Sequence, residues 1–181
     1  VREKELQIEQ GFLKGKKIQG QKSGLRPTTS KVRAALFNIL RYKLKAKSFV
    51  DCFAGTGLVG FEALSLGASR IGFVELNKMA VKFLYKNTAA FGIEDKVSIK
   101  NQNVYDFLQS QYEQWDILFF SPPYDIIHWY QLIRSIEYSP IFKEGTLVIL
   151  QHPSHIQVHP ALVKKIETRQ YGFNCLTFLE K

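Results

Sequence analysis

Long apolar runs, cysteines and acidic residues are all scarce in this 181-residue chain, and each shortage closes off a class of protein. No apolar stretch approaches the roughly 18–20 residues that a bilayer-spanning helix needs, so no membrane span is expected. The two cysteines, Cys52 and Cys175, give neither a disulfide framework nor a metal-binding spacing. They read as buried thiols in a reducing compartment. His128, His152, His155 and His159 lack zinc-site spacing, so no metal is expected. The chain starts at Val1 without a basic-then-apolar stretch, which gives the expectation of no secretory leader and a cytoplasmic protein. No Pro/Gly/Ser-rich linker and no internal repeat divides it. What remains is 45% apolar, with 14 Phe and 8 Tyr. That is enough to build one packed domain and is incompatible with a disordered chain.

The shortage of acid is local. Residues 1–50 carry 13 Lys/Arg against 3 Asp/Glu, whereas residues 51–181 carry 12 against 13. A net +10 on one segment beside −1 on the rest reads as a polyanion-binding surface, with a merely solvated face as the plainer alternative. We therefore divide the chain into a basic, polyanion-binding arm and helix over residues 1–47 and a core over 48–181, within one structural domain. Pieces such as Lys16-Lys17-Ile18-Gln19 suggest an extended arm or small hairpin. Thr28 or Thr29 can cap a helix behind Pro27, along which Val32, Ala35, Leu36, Ile39 and Leu40 form one apolar face.

From residue 48 the pattern alternates. Strands are expected at 48–53, 69–75, 96–100, 116–120 and 146–151, and helices at 57–66, 77–91, 104–111 and 127–138. The tail, 162–169 and 174–180, reads as an antiparallel strand pair turning at Tyr171-Gly172. The fold class is α/β: a mostly parallel sheet with helices on both faces, whose ligands bind at the carboxyl ends of the strands.

The motifs lie at those ends. Asp51-Cys52-Phe53-Ala54-Gly55-Thr56-Gly57 follows the first core strand and opens a helix. Gly55 and Gly57 allow a tight turn and close approach to a ligand, and the helix start favours an anionic group. With Gly60 the run satisfies G-x-G-x-x-G, and Glu75, 20 residues past Gly55, can accept both ribose hydroxyls of a nucleoside. A plain glycine turn with a solvated Glu is the alternative. Asp51 disfavours a pyrophosphate and suits a cofactor carrying an ammonium and a sulfonium, namely S-adenosylmethionine; it can equally bond loop amides. Ser121-Pro122-Pro123-Tyr124 ends the strongly apolar strand over 116–120. Two prolines fix a stiff loop that can aim the Ser121 side chain and the Pro122 carbonyl at one point, with Tyr124 as a stacking ring. Two acceptors and a ring suit a planar base bearing an exocyclic amine.

These motifs, with Phe73-Val74-Glu75, resemble the class I S-adenosylmethionine-dependent amino-methyltransferases. More closely, the chain resembles the RsmD family, which methylates N2 of one guanine in bacterial small-subunit rRNA. Lys14-Gly15-Lys16-Lys17-Ile18, Gly24-Leu25-Arg26-Pro27-Thr28-Thr29 and the stretch from Val32 to Leu40 carry the likeness, as does Tyr171-Gly172. The resemblance implies a Rossmann-like seven-stranded sheet and a cofactor site of Asp51, Ala54, Gly55, Thr56, Gly57, Glu75 and Asn103. It implies catalysis by Ser121, Pro122 and Tyr124, and RNA contacts from Lys16, Lys17, Arg26, Thr28, Lys31 and Arg33. The partner would be 16S rRNA, naked or in an assembling small subunit, met by a monomer. Three positions depart from the family: Ser121 and Asn103 stand where acids are usual, and Gln151-His152 where Glu-His is usual. Ser121 also resembles some DNA amino-methyltransferases, which keeps that activity open beside a non-catalytic RNA-binding role. An NAD-dependent oxidoreductase rests on the glycine run alone.

Overall fold

The computed structural model describes residues 6–20, 28–110, 114–125 and 128–181. Its helices are α1 (Ser30–Leu40), α2 (Leu58–Ser65), α3 (Lys78–Phe91), α4 (Val104–Leu108) and α5 (Trp129–Glu137). Its strands are β1 (Ser48–Cys52), β2 (Arg70–Val74), β3 (Val97–Lys100), β4 (Ile117–Phe120), β5 (Leu147–Pro153), β6 (Lys164–Tyr171) and β7 (Asn174–Glu180). They form a seven-stranded sheet in the order β3-β2-β1-β4-β5-β7-β6. The first five strands pair in parallel, and β7 runs antiparallel to both β5 and β6. The expected elements are present. The differences are at ends, as at Phe53, whose φ of 77° takes it out of β1, and in one turn of 3-10 helix at Glu94–Lys96.

Alternation along the strands explains the two faces, since successive side chains point to opposite sides. Phe49, Ile71, Phe73, Ile117, Phe119, Ile149 and Phe178 face one layer, with α1, α2 and Leu84 of α3. Val50, Cys52, Val74, Leu118, Phe120, Val148 and Leu150 face the other, with α4 and α5. Local sequence sets the helix ends: Thr29 Oγ1 accepts the Val32 N–H, and Asn77 Oδ1 accepts from Met79 and Ala80. Gly92 closes α3 at φ 66°, a conformation that favours glycine.

The described part of the N-terminal arm is a hairpin pinned to α2. Ile8 N–H donates to Lys16 O, Ile18 N–H to Leu6 O, and Gln7 bridges Lys17. Ile8, Leu13 and Ile18 are buried in the first core layer. Ser65 holds the turn: its backbone carbonyl accepts from Phe12 N–H, and its Oγ accepts from Leu13 N–H and donates to Gln10 O. At Gly11, φ is 78° and an added Cβ would lie 1.9 Å from Ser65 O, so only glycine fits.

Candidate active site

Three strand ends position the site. Cys52 of β1 pairs with Val74 of β2 on one side and with Phe120 of β4 on the other. Neighbouring strands lie about 4.8 Å apart. The glycine loop, Glu75 and the proline loop therefore emerge side by side, where the strand order turns from β1-β2-β3 to β4-β5.

The glycine loop is held by its own backbone. Phe53 and Ala54 N–H both donate to Val74 O, and Gly57 N–H donates to Ala54 O. Phe53 adopts φ 77°, a conformation that costs a non-glycine residue on the order of 1–3 kcal/mol. The loop thus stores strain at the strand end. At Gly60 an added Cβ would lie 2.3 Å from the Phe73 ring, so this glycine lets α2 close onto β2. Gly55 N–H donates to Glu75 Oε2 at 2.8 Å, and Asn77 N–H donates to Oε1 at 2.8 Å. Glu75 is half-buried, so each oxygen retains capacity to accept a further hydrogen bond. The Glu75 and Leu76 carbonyls accept from Asn101 Nδ2. The sequence reading missed Asn101; its one signal is its place just after β3, beside β2 in the sheet. Asn103 caps α4, its Oδ1 accepting the Tyr105 N–H. The arm reaches the same loop: Gln19 exchanges two backbone hydrogen bonds with the Asn87 side chain, and Gly20 lies beside Thr56.

Asp51 is the electrostatic outlier. Its side chain is 2% exposed, and its Oδ2 accepts from Gly60 N–H at 3.2 Å. Burial dominates, the Gly60 bond offsets part of it, and the charge of Glu75 adds to it, so the carboxyl is pushed up to about 8. An incoming ammonium would restore the ionised form, so the group fits a cationic ligand. Burial and the charge of Asp51 also push the Cys52 thiol up, which leaves it an inert buried thiol.

A polar chain backs the proline loop. Ser121 N–H donates to Cys52 O at 3.4 Å, tying the proline loop to the glycine loop. Thr28 Oγ1 donates to Gln151 Oε1 at 3.0 Å, Gln151 Nε2 to Tyr124 OH at 3.0 Å, and Tyr124 OH to Asn174 Oδ1 at 2.8 Å. Thr28 Oγ1 and Ser121 Oγ lie 3.4 Å apart. Because the single hydroxyl proton of Thr28 goes to Gln151, Ser121 is the donor in that contact, and its oxygen lone pairs remain free to accept. Gln151 falls opposite this loop because its predecessor Leu150 pairs with Phe120. The sequence reading did not anticipate Asn174, and no local pattern marks it. His152 is buried and its basicity is lowered, chiefly by burial. Its Nδ1 donates to Pro153 O, so Nε2 accepts from Thr177 Oγ1 at 2.8 Å, a structural arrangement.

The expected phosphate contacts separate into groups. Lys16, Lys17 and Lys31 have exposed side chains. Arg33 must be corrected: it is 3% exposed, with Nε 2.5 Å from Glu62 Oε2 and Nη2 2.7 Å from Glu9 Oε1. Its guanidinium pairs with two carboxylates, one on the arm and one on α2, and so ties both to α1; it is not a surface cation. Thr28 is buried behind Ser121 rather than presented to a phosphate. Arg26 lies outside the described residues. Among the described residues no cluster could hold a metal ion, and no helix is long and apolar enough to cross a membrane.

The profile of the family described as Conserved hypothetical protein 95 matches residues 6–180. The protein named Ribosomal RNA small subunit methyltransferase D of Haemophilus influenzae is 36% identical over 124 residues, which are 66% of this chain and 64% of that relative. The match thus spans less than two thirds of that relative's length. The solved yhhF chain of Escherichia coli superimposes with a TM-score of 0.85 at 27% identity, over 98% of each chain. An RNA methyltransferase from Salinibacter ruber, solved with S-adenosyl-L-homocysteine, shares the fold alone. Its TM-score is 0.67 at 13% identity, over 86% of this chain and 93% of that one. The fold is therefore the Rossmann-like class I methyltransferase fold expected from the motifs.

Proposed function

This chain belongs to the family described as Conserved hypothetical protein 95, and on that premise we propose that it uses S-adenosylmethionine to methylate the exocyclic N2 amine of a guanine in 16S rRNA. The observation that carries the reading is the joining of two loops on adjacent strands by the Ser121 N–H to Cys52 O bond. One loop is built for a cationic nucleoside and the other for a planar amine.

S-adenosylmethionine, when bound, supplies an electrophilic methyl group. On this side of the reaction, Glu75 would accept the ribose hydroxyls and Asp51 would face the ammonium. Ala54, Gly55, Thr56 and Gly57 would line the cofactor, and Asn103 would meet the adenine edge. On the other side, the Ser121 hydroxyl and the Pro122 carbonyl would accept hydrogen bonds from the two amine N–H groups, aiming the nitrogen at the methyl. Tyr124 would stack on a base extruded from its neighbours, its hydroxyl anchored by Gln151 and Asn174. Ser121 brings no charge, so catalysis rests chiefly on positioning. Lys16, Lys17, Arg26 and Lys31 would take backbone phosphates. The protein would act as a cytoplasmic monomer on free rRNA or on an assembling small subunit.

Tritium transfer from labelled cofactor separates the readings. Label in 16S rRNA or in immature small subunits, mapped by mass to a guanine, is the expected result. Label in duplex DNA instead would make the serine site that of a DNA amino-methyltransferase. Cofactor binding without transfer to any nucleic acid would leave a binding protein on a methyltransferase fold.

A further inference from the structure

Next to the proline loop stands an aromatic residue that none of the motifs contains. Phe173 occupies the turn between β6 and β7, after Gly172 at φ 62°, and 52% of its surface is exposed. A single exposed apolar side chain is ordinary. What distinguishes Phe173 is that its place is fixed from two sides. Its carbonyl accepts from Ser154 N–H at 2.8 Å, and the next residue, Asn174, accepts from Tyr124 OH at 2.8 Å. The Phe173 ring lies 6.5 Å from that of Tyr124 and 5.8 Å from that of the exposed His155, tilted 49° and 45°. The Trp129 ring also lies beside that of Tyr124, at 5.9 Å. A row of rings therefore runs from the hairpin tip across the proline loop to α5.

We propose that Phe173, with His155 beside it, is the stacking seat for the unpaired nucleotide adjoining the target in the RNA chain. The proposal rests on the RNA-methylating reading above and extends it to a residue that sets how the substrate strand is held. A base extruded onto Tyr124 leaves its neighbour unstacked on one face. An aromatic ring offers that face a partner irrespective of base identity. The two hydrogen bonds that fix the turn place the ring before RNA arrives, so little ordering is left for binding.

The test uses Phe173→Ala, Phe173→Leu and Phe173→Tyr, with 16S rRNA as substrate in the transfer assay and as ligand in filter binding. Calorimetry with S-adenosylhomocysteine checks that each variant is folded and binds cofactor as the wild type does. Loss of one base–aromatic stack should raise the KM for RNA about five- to hundred-fold in the Ala and Leu variants, with kcat changed less. Tyr should restore the wild-type value. The Leu variant keeps apolar bulk without a π-face, so a Leu variant equal to wild type would overturn stacking. Equal RNA affinity in the Ala variant would overturn the seat altogether. If the wild type transfers no methyl to RNA, the activity reading fails by itself; filter binding of the same variants then still decides the proposal, weaker binding by Ala and Leu supporting it and unchanged binding refuting it.

Discussion

Two aspartates stand at opposite edges of the same sheet and meet opposite fates. Asp116, just before β4 at the amino edge, accepts from Ser48 N–H at 2.8 Å, Ser48 Oγ–H at 2.7 Å and Lys47 Nζ at 2.9 Å. Burial alone would raise its pKa, but these bonds and the Lys47 charge outweigh it and hold the carboxyl below its usual range. Asp51, at the carboxyl edge, is more deeply buried, and its pKa is raised to about 8. The amino edge is closed and satisfied. The carboxyl edge combines a raised carboxyl, a strained Phe53 and a half-exposed Glu75. The contrast teaches that the fold stabilises itself at one edge and leaves electrostatic demand at the other, where a ligand can meet it.

The largest effect should come from breaking that demand. In the folded protein Asp51 holds its proton up to about 8, against 3.8 ordinarily. Its contribution to stability is thus fully present at low pH and is lost as pH rises toward 8, by up to about 1.4 kcal/mol per unit. Asp51→Asn should therefore gain on the wild type by a few kcal/mol between pH 5 and pH 8 in urea unfolding. A constant difference across that range would show that Asp51 is ionised in the folded state.

Glu75→Ala removes the acceptor of the Gly55 and Asn77 amides and of the expected ribose hydroxyls. A hydrogen bond to a charged group contributes roughly 1.5–3 kcal/mol, so S-adenosylhomocysteine affinity by calorimetry should fall about ten- to hundred-fold. An unchanged dissociation constant in a folded variant would remove Glu75 from the cofactor site.

Asp116→Asn tests the satisfied edge. Its side chain is 36% exposed, so solvent screening reduces the loss to about 1–2 kcal/mol at pH 7. Because its folded pKa is lowered, the loss should be present above the ordinary carboxylate range and fade as pH falls through the lowered value. Cofactor affinity should not move, and a clear drop in it would mean the two edges are coupled.

Ser121→Ala should lower kcat about two- to ten-fold, the contribution of one neutral hydrogen bond, with cofactor affinity unchanged. Ser121→Asp introduces the carboxylate usual in the family resembled. A faster Asp variant would mark the serine as a weakened form of that site; an inactive one, beside an active wild type, would mean the site is built around serine.

The smallest effect sharpens the same comparison for RNA. Lys31 lies at the start of α1, three residues after Thr28, whose hydroxyl meets that of Ser121, whereas Lys43 follows α1 on the way to the amino end of β1. Lys31→Ala should reduce the magnitude of the slope of log K against log salt by about 0.7–0.9 and Lys43→Ala should leave it unchanged. Equal effects would mean that RNA contacts both edges.

By itself the sequence determined whatever depends on near neighbours. The apolar period of two or of 3.6 marked the strands and helices, Asn77 and Gly92 delimited α3, and the motif spacing put the glycine loop, Glu75 and the proline loop at strand ends. These are local because a turn, a cap or a pleat is decided within a few residues. Strand order, and with it the meeting of those three ends, belongs to the tertiary structure. So does Arg33, whose partners Glu9 and Glu62 lie on the arm and on α2. A helical pattern shows that Arg33 borders an apolar face but not that two carboxylates wait there. The chain from Thr28 through Gln151 and Tyr124 to Asn174 likewise joins four distant segments. Each link is a short-range polar contact, and only packing the sheet brings its two halves within reach.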